Sequence, residues 1–192
     1  MAVGFYGYLV LARTRESFAE LFRLPSWTEE YLDDPATYAD GWRVFRLRDH
    51  SHRELVPDGP VRAVAAITGS PVLVCQVYRS DYATLRGCVP GGELWRAEFN
   101  VELDLWDAVR EEFGVREGEP EWEKCVEAVT VQWEAARAEV LAQVLAWAAA
   151  AGLEVDAAAV AAAVRNRWER QTEAAVYELF RSLGLGSQLS SA

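Results

Sequence analysis

Past Asn100 the spacing of the apolar residues changes, and this change restricts the available folds more than any other feature of the chain. Upstream, "FYGYLVLA" (Phe5 to Ala12), "GWRVFRLRD" (Gly41 to Asp49) and "PVLVCQVY" (Pro71 to Tyr78) are short apolar or alternating runs bounded by Gly, Pro and Asp, which is strand patterning. Downstream, Leu103, Trp106, Val109 and Phe113 recur at helical spacing, as do Trp122, Val126, Val129, Trp133, Ala136, Val140, Val144 and Trp147. Strands gathered first and helices after them indicate an α+β class. The expected architecture is a mostly antiparallel sheet of about five strands with flanking helices over residues 1–115. A C-terminal αα-hairpin over residues 116–192 then packs on that domain or on a second copy. At 192 residues the chain is long enough to bury a sizeable core.

Helix boundaries are marked locally. Ser17 and Glu20 have the spacing of a capping box ahead of Phe18, Leu21 and Phe22. Asp58 is placed to cap a second helix, with Pro60 in its first turn and Gly69 and Pro71 at its end. The long helix has Pro120 in its first turn and Gly152 just past its end, and Asp156 is placed to cap another carrying Val160, Val164, Trp168, Ala175, Leu179 and Leu183. Residues 27–41 mix acids, aromatics and Pro35 without a period and read as loop with room for one short helix.

The segment "VYRSDYATLRGCVPGGELWRAEFN" (Val77 to Asn100) reads as a turn followed by a β-hairpin. Pairing residues whose numbers sum to 184 sets Leu85 opposite Phe99 and Val89 opposite Trp95, with Arg86 against Glu98 on the other face. A sum of 182 also keeps one face apolar but sets Arg86 against Arg96, so 184 is the expected register. Asp81 belongs to the turn "RSDY", where Ser and Asp bond to local backbone, and it is a secondary candidate for a functional acid.

The run from Gly69 to Asn100, with the early "GFYGY", resembles a group of small actinobacterial proteins. They share such an early strand, a Pro-Val-Leu strand, a Ser-Asp turn and a Pro-Gly-Gly hairpin. The resemblance covers about residues 1–100. It implies an α+β fold and brings no catalytic residue and no activity, because its motifs are structural punctuation.

Charge is uneven. Residues 101–192 hold 17 acidic and 8 basic side chains, net −9 of the chain's −11. Between Glu102 and Glu139 twelve acids face only Arg110, Arg116, Lys124 and Arg137. Such a field repels nucleic acid and anionic membrane and favours a basic protein partner. The longest uncharged stretches, 63–78 and 140–153, are shorter than the roughly 20 residues a spanning helix needs. Three cysteines without CxxC spacing indicate reduced thiols, and with no basic leader at the start the expected location is cytoplasmic.

For chemistry, the loop "DHSHRE" is the ligand-like cluster. Asp49, His50, His52 and Glu54 offer two imidazoles and two carboxylates to a divalent metal, or, as the other reading, form a solvated loop paired with Arg48 and Arg53. No phosphate loop, dinucleotide fingerprint or nucleophile elbow is present, so no cofactor is expected. Trp27 and Trp42, with Tyr31 and Tyr38, are expected to be partly exposed and to offer an aromatic contact patch. The function expected first is a non-enzymatic, acidic, cytosolic interaction module, of the immunity or inhibitor kind, binding a basic protein through those aromatics and Glu117, Glu119, Glu121 and Glu123. The alternatives are a small metal- or ligand-dependent enzyme using the Asp49, His50, His52 and Glu54 loop, and a regulatory domain that forms a homodimer through its C-terminal helices.

Overall fold

A computed structural model of the protein describes residues 5–23, 32–48, 56–79, 81–99, 105–165 and 172–185. The fold is α+β, built, among the described residues, on a six-stranded sheet in the order β2-β3-β1-β4-β5-β6. Its strands are β1 (Gly7–Arg13), β2 (Leu32–Thr37), β3 (Trp42–Arg48), β4 (Val72–Tyr78), β5 (Tyr82–Cys88) and β6 (Trp95–Phe99), and every pairing is antiparallel. The helices are α1 (Phe18–Phe22), α2 (Asp58–Thr68), α3 (Leu105–Phe113), α4 (Trp122–Ala150), α5 (Ala157–Arg165) and α6 (Thr172–Phe180), followed by a helical turn over Arg181–Leu185.

β1 is apolar on both faces because both faces are covered. Tyr8, Val10 and Ala12 lie with Phe18, Leu21 and Phe22 of α1 and Val61, Val64 and Ala65 of α2. Leu9 and Leu11 lie on the opposite face, against Val140, Val144 and Trp147 of α4 and the buried sides of α5 and α6. The C-terminal helices therefore pack on the chain's own sheet. Trp147 fastens this layer: its indole N–H donates to the Val72 carbonyl at 3.0 Å and its ring lies 5.7 Å from that of Trp42.

The local signals set the helix ends where steric and hydrogen-bonding rules place them. Ser17 and Glu20 form the capping box, α2 ends at Gly69 in the left-handed region (φ 62°), and the Asp156 carboxylate accepts the Ala158 N–H at 2.8 Å. Val160, Val164, Ala175, Leu179 and Leu183 are all buried, while Trp168 lies outside the described residues.

Three expectations are corrected here. The sheet has one strand more than the expected five, because β2 forms within the stretch read as loop. Its composition, with Asp33, Asp34 and Pro35, disfavours a strand. Pairing with β3 overrides this locally, since the Asp33 carboxylate sits 3.2 Å from Arg46 and 3.4 Å from Arg48, and the register shifts between Asp33 and Ala36. Second, Trp42 and Tyr38 are core residues, 1% and 6% exposed, and form no contact patch. Trp42 begins β3 beneath Trp147, with the Arg13 guanidinium 5.0 Å from its ring, and burial pushes the Tyr38 hydroxyl pKa up to about 12, with Tyr177 adding to the effect. Third, Asp58 does not cap α2: the cap position is Pro57, without a side-chain bond.

Candidate interaction site

The hairpin of β5 and β6 shows where Asp58 is used instead. The strands pair as Ala83 with Phe99, Leu85 with Ala97, Gly87 with Trp95 and Arg86 with Arg96, so the register sum is 182 and the expected 184 is corrected. Two arginines opposite one another would be unfavourable by themselves. Asp58 resolves the conflict from the start of α2, with its Oδ1 3.1 Å from Arg86 Nη1 and 3.2 Å from Arg96 Nη2. Burial works to raise the Asp58 pKa, but hydrogen bonds and charge from Arg86 and Arg96 outweigh it and hold the carboxyl below its ordinary value. Arg86 is 1% exposed, so this ion pair lies half inside the protein. Cys88, two residues along the strand from Arg86, is buried, its pKa is raised by desolvation, and its Sγ lies 3.5 Å from the Val89 carbonyl oxygen. A buried, protonated thiol of this kind is a poor nucleophile.

Asp81 lies in the turn between β4 and β5, where its backbone N–H donates to the Tyr78 carbonyl at 2.9 Å and Arg79 takes a left-handed conformation (φ 53°). Beside it Tyr78 and Tyr82 stack at 4.7 Å, and Tyr6 meets Tyr78 edge-on at 5.6 Å. The Tyr82 pKa is raised, first by burial and then by Tyr78, Glu98 and Asp81. This is the environment of a structural turn.

The more distinctive surface is the pair α3 and α4. At 29 residues α4 is about 44 Å long, and its two halves are buried against different partners. Val140, Val144 and Trp147 belong to the sheet core, whereas Trp122, Cys125 and Val129 form a separate small cluster with Val109 of α3. The rings of Trp106 and Trp122 stack at 4.6 Å and 10°, and Gln132 Nε2 donates to Glu112 Oε1 at 2.8 Å. Later residues of α3 thus meet later residues of α4, so the two helices run in the same sense, with 114–121 returning between them.

Three large apolar side chains on this projection face water: Trp106 (46% exposed), Phe113 (41%) and Val131 (62%). On the same projection Glu111, Glu112, Glu117, Glu119, Glu121, Glu123, Glu127 and Glu134 are all exposed, as are Arg116 and Lys124. A shallow cavity of about 360 Å³ lies beside the stacked tryptophans, lined by Asp107, Arg110, Val115, Arg116 and Glu117. Arg110 is paired with Asp107 at 2.6 Å, and Arg116 and Glu117 complete a lining of two acids and two bases. Exposed large apolar side chains on a charged projection are features a protein contact surface uses.

Of the residues singled out in the sequence, Glu117, Glu119, Glu121 and Glu123 are exposed, and Glu117 lines the cavity beside the stacked tryptophans. Trp27, Tyr31, Asp49, His50, His52 and Glu54 lie outside the described residues, and among the described residues no group of three His, Cys, Asp or Glu side chains is placed to hold a metal. Sequence reasoning missed Trp106, Phe113 and Val131 as surface residues. The available signal was that Val131 sits between Val129 and Trp133, off the apolar seam. No helix among the described residues is long and apolar enough to cross a membrane. Comparison of the chain with protein-family models, with curated proteins and with solved structures finds no match to any of them.

Proposed function

We propose that the protein is a non-enzymatic interaction module that binds a basic partner protein through the projection formed by α3 and α4, in the manner of an immunity protein or inhibitor. The observation that supports this reading is the exposure of Trp106, Phe113 and Val131 on a projection that also exposes eight glutamates, away from the sheet core. Burying such side chains against a partner supplies affinity, and the acids on the same projection supply steering and choice of partner. The three buried, free cysteines fit a reducing, cytoplasmic setting.

The experiment is capture of partners from native lysate by the wild type, by a charge-reversed variant (Glu119→Lys, Glu121→Lys, Glu123→Lys) and by Trp106→Ala. A basic protein should bind the wild type, elute as salt is raised, and be lost from both variants. Finding no partner, or one indifferent to salt and to both variants, would overturn the reading.

A further inference from the structure

The two edges of the sheet are built differently. β2, at one edge, carries Pro35 and a register break between Asp33 and Ala36, devices that discourage pairing with another chain. β6, at the other edge, has neither: Trp95-Arg96-Ala97-Glu98-Phe99 is regular, and among the described residues it pairs only with β5.

The five residues are also self-complementary. Laid antiparallel against a second copy with Ala97 on the twofold axis, Arg96 faces Glu98 of the other chain and Glu98 faces its Arg96. Trp95 and Phe99 face one another in the same way. The faces agree, because Trp95, Ala97 and Phe99 lie on the side of the sheet that α4 covers while Arg96 and Glu98 alternate to the side of α2. Cross-strand opposite charges are among the contacts that stabilise an antiparallel ladder, and a symmetric interface must be complementary to itself. Arg96 can serve both its own chain and the second copy: it reaches Asp58 at 3.2 Å, yet its side chain is 54% exposed, and a guanidinium carries five donors.

We infer that β6 is a self-association edge, at which two copies join antiparallel through Trp95–Phe99 into one continuous sheet of twelve strands, twice the six of each chain. The occupant is a second copy of this chain. A short edge and a chain charge of −11 make the association weak and concentration-dependent.

Sedimentation equilibrium over a range of concentrations tests this with Glu98→Arg, Arg96→Glu and their equimolar mixture. The wild type should show a reversible monomer–dimer equilibrium. Each single variant sets like charges opposite one another twice and should weaken it roughly tenfold. The mixture should recover association as a heterodimer, since each new charge then meets its opposite. Glu98→Arg leaves Asp58 and its two arginines in place, so its effect is read on a folded chain. If Arg96→Glu does not fold, Glu98→Gln replaces it and should weaken association less than Glu98→Arg. A wild type that stays monomeric at its highest soluble concentration overturns the inference. So do a dimer indifferent to these substitutions, a mixture no tighter than the single variants, and a neutral variant as weak as the reversed one.

Discussion

The indole of Trp95 occupies the space that a side chain on Gly87 would need: a Cβ built there would stand 2.3 Å from Trp95 Cε2. These residues are opposite one another in the β5–β6 ladder, so the glycine and the tryptophan together specify the register that the arginines by themselves argue against. Gly87→Ala should lower stability by about 2 kcal/mol through overpacking of a closed site. In Trp95→Ala the added methyl should be tolerated, so the double variant should be less destabilised than the sum of the two singles. Thermal or urea unfolding of the four proteins measures this coupling, and additive effects would show that the contact does not set the register.

Asp58→Ala should cost about 2 kcal/mol, because it leaves the buried Arg86 guanidinium facing Arg96 without the carboxylate between them. Removing Arg96 in the same chain relieves the repulsion, so Asp58→Ala combined with Arg96→Ala should be less destabilised than the sum of the single variants. Urea titration of the single and double variants gives the comparison.

Acid should weaken the fold in a window set by the same carboxylate. The Asp58 pKa is lowered in the folded chain from its ordinary 3.8, so its contribution is present above that value and is lost as pH falls through the folded pKa. Glu20 acts in the same sense, lowered by its bonds to the Ser17 backbone and hydroxyl. Melting temperature followed from neutral pH down through the carboxylate range should fall on the acid side, and Asp58→Asn should flatten part of that slope. An unchanged profile in the variant would show that the Arg86 and Arg96 contacts do not lower the pKa.

Trp147→Phe should destabilise by about 1.5 kcal/mol, since it removes the buried hydrogen bond from the indole N–H to the Val72 carbonyl. The loss should be the same at low and high protein concentration if the C-terminal helices pack on their own sheet. A cost that grows with dilution would indicate that this layer belongs to an interface between copies.

Thiol chemistry should be silent in the native state. Cys75, Cys88 and Cys125 are all buried and free, and desolvation raises the thiol pKa of Cys75 and Cys88. A disulfide reagent should react slowly with the folded protein and modify three thiols once the chain is unfolded. Rapid modification of one thiol in the native protein would reveal local opening.

What the sequence determined by itself was whatever depends on a few neighbouring residues. The change of period at Asn100 separated sheet from helices. The apolar runs at β1, β3 and β4, the Ser17–Glu20 box, the left-handed Gly69 and the Asp156 cap marked elements whose sterics and hydrogen bonds close locally. Tertiary structure decided the rest. A segment with Asp33, Asp34 and Pro35 became a strand because β3 supplied a ladder and two arginines. Trp42 and Tyr38 went into the core because a helical layer from far along the chain covered them. The hairpin took the register with Arg86 opposite Arg96 because Asp58, 28 residues from Arg86 in sequence, arrived between them. A cross-strand charge is judged by all its neighbours in space, and no pairing rule confined to two strands includes a carboxylate brought in by a helix.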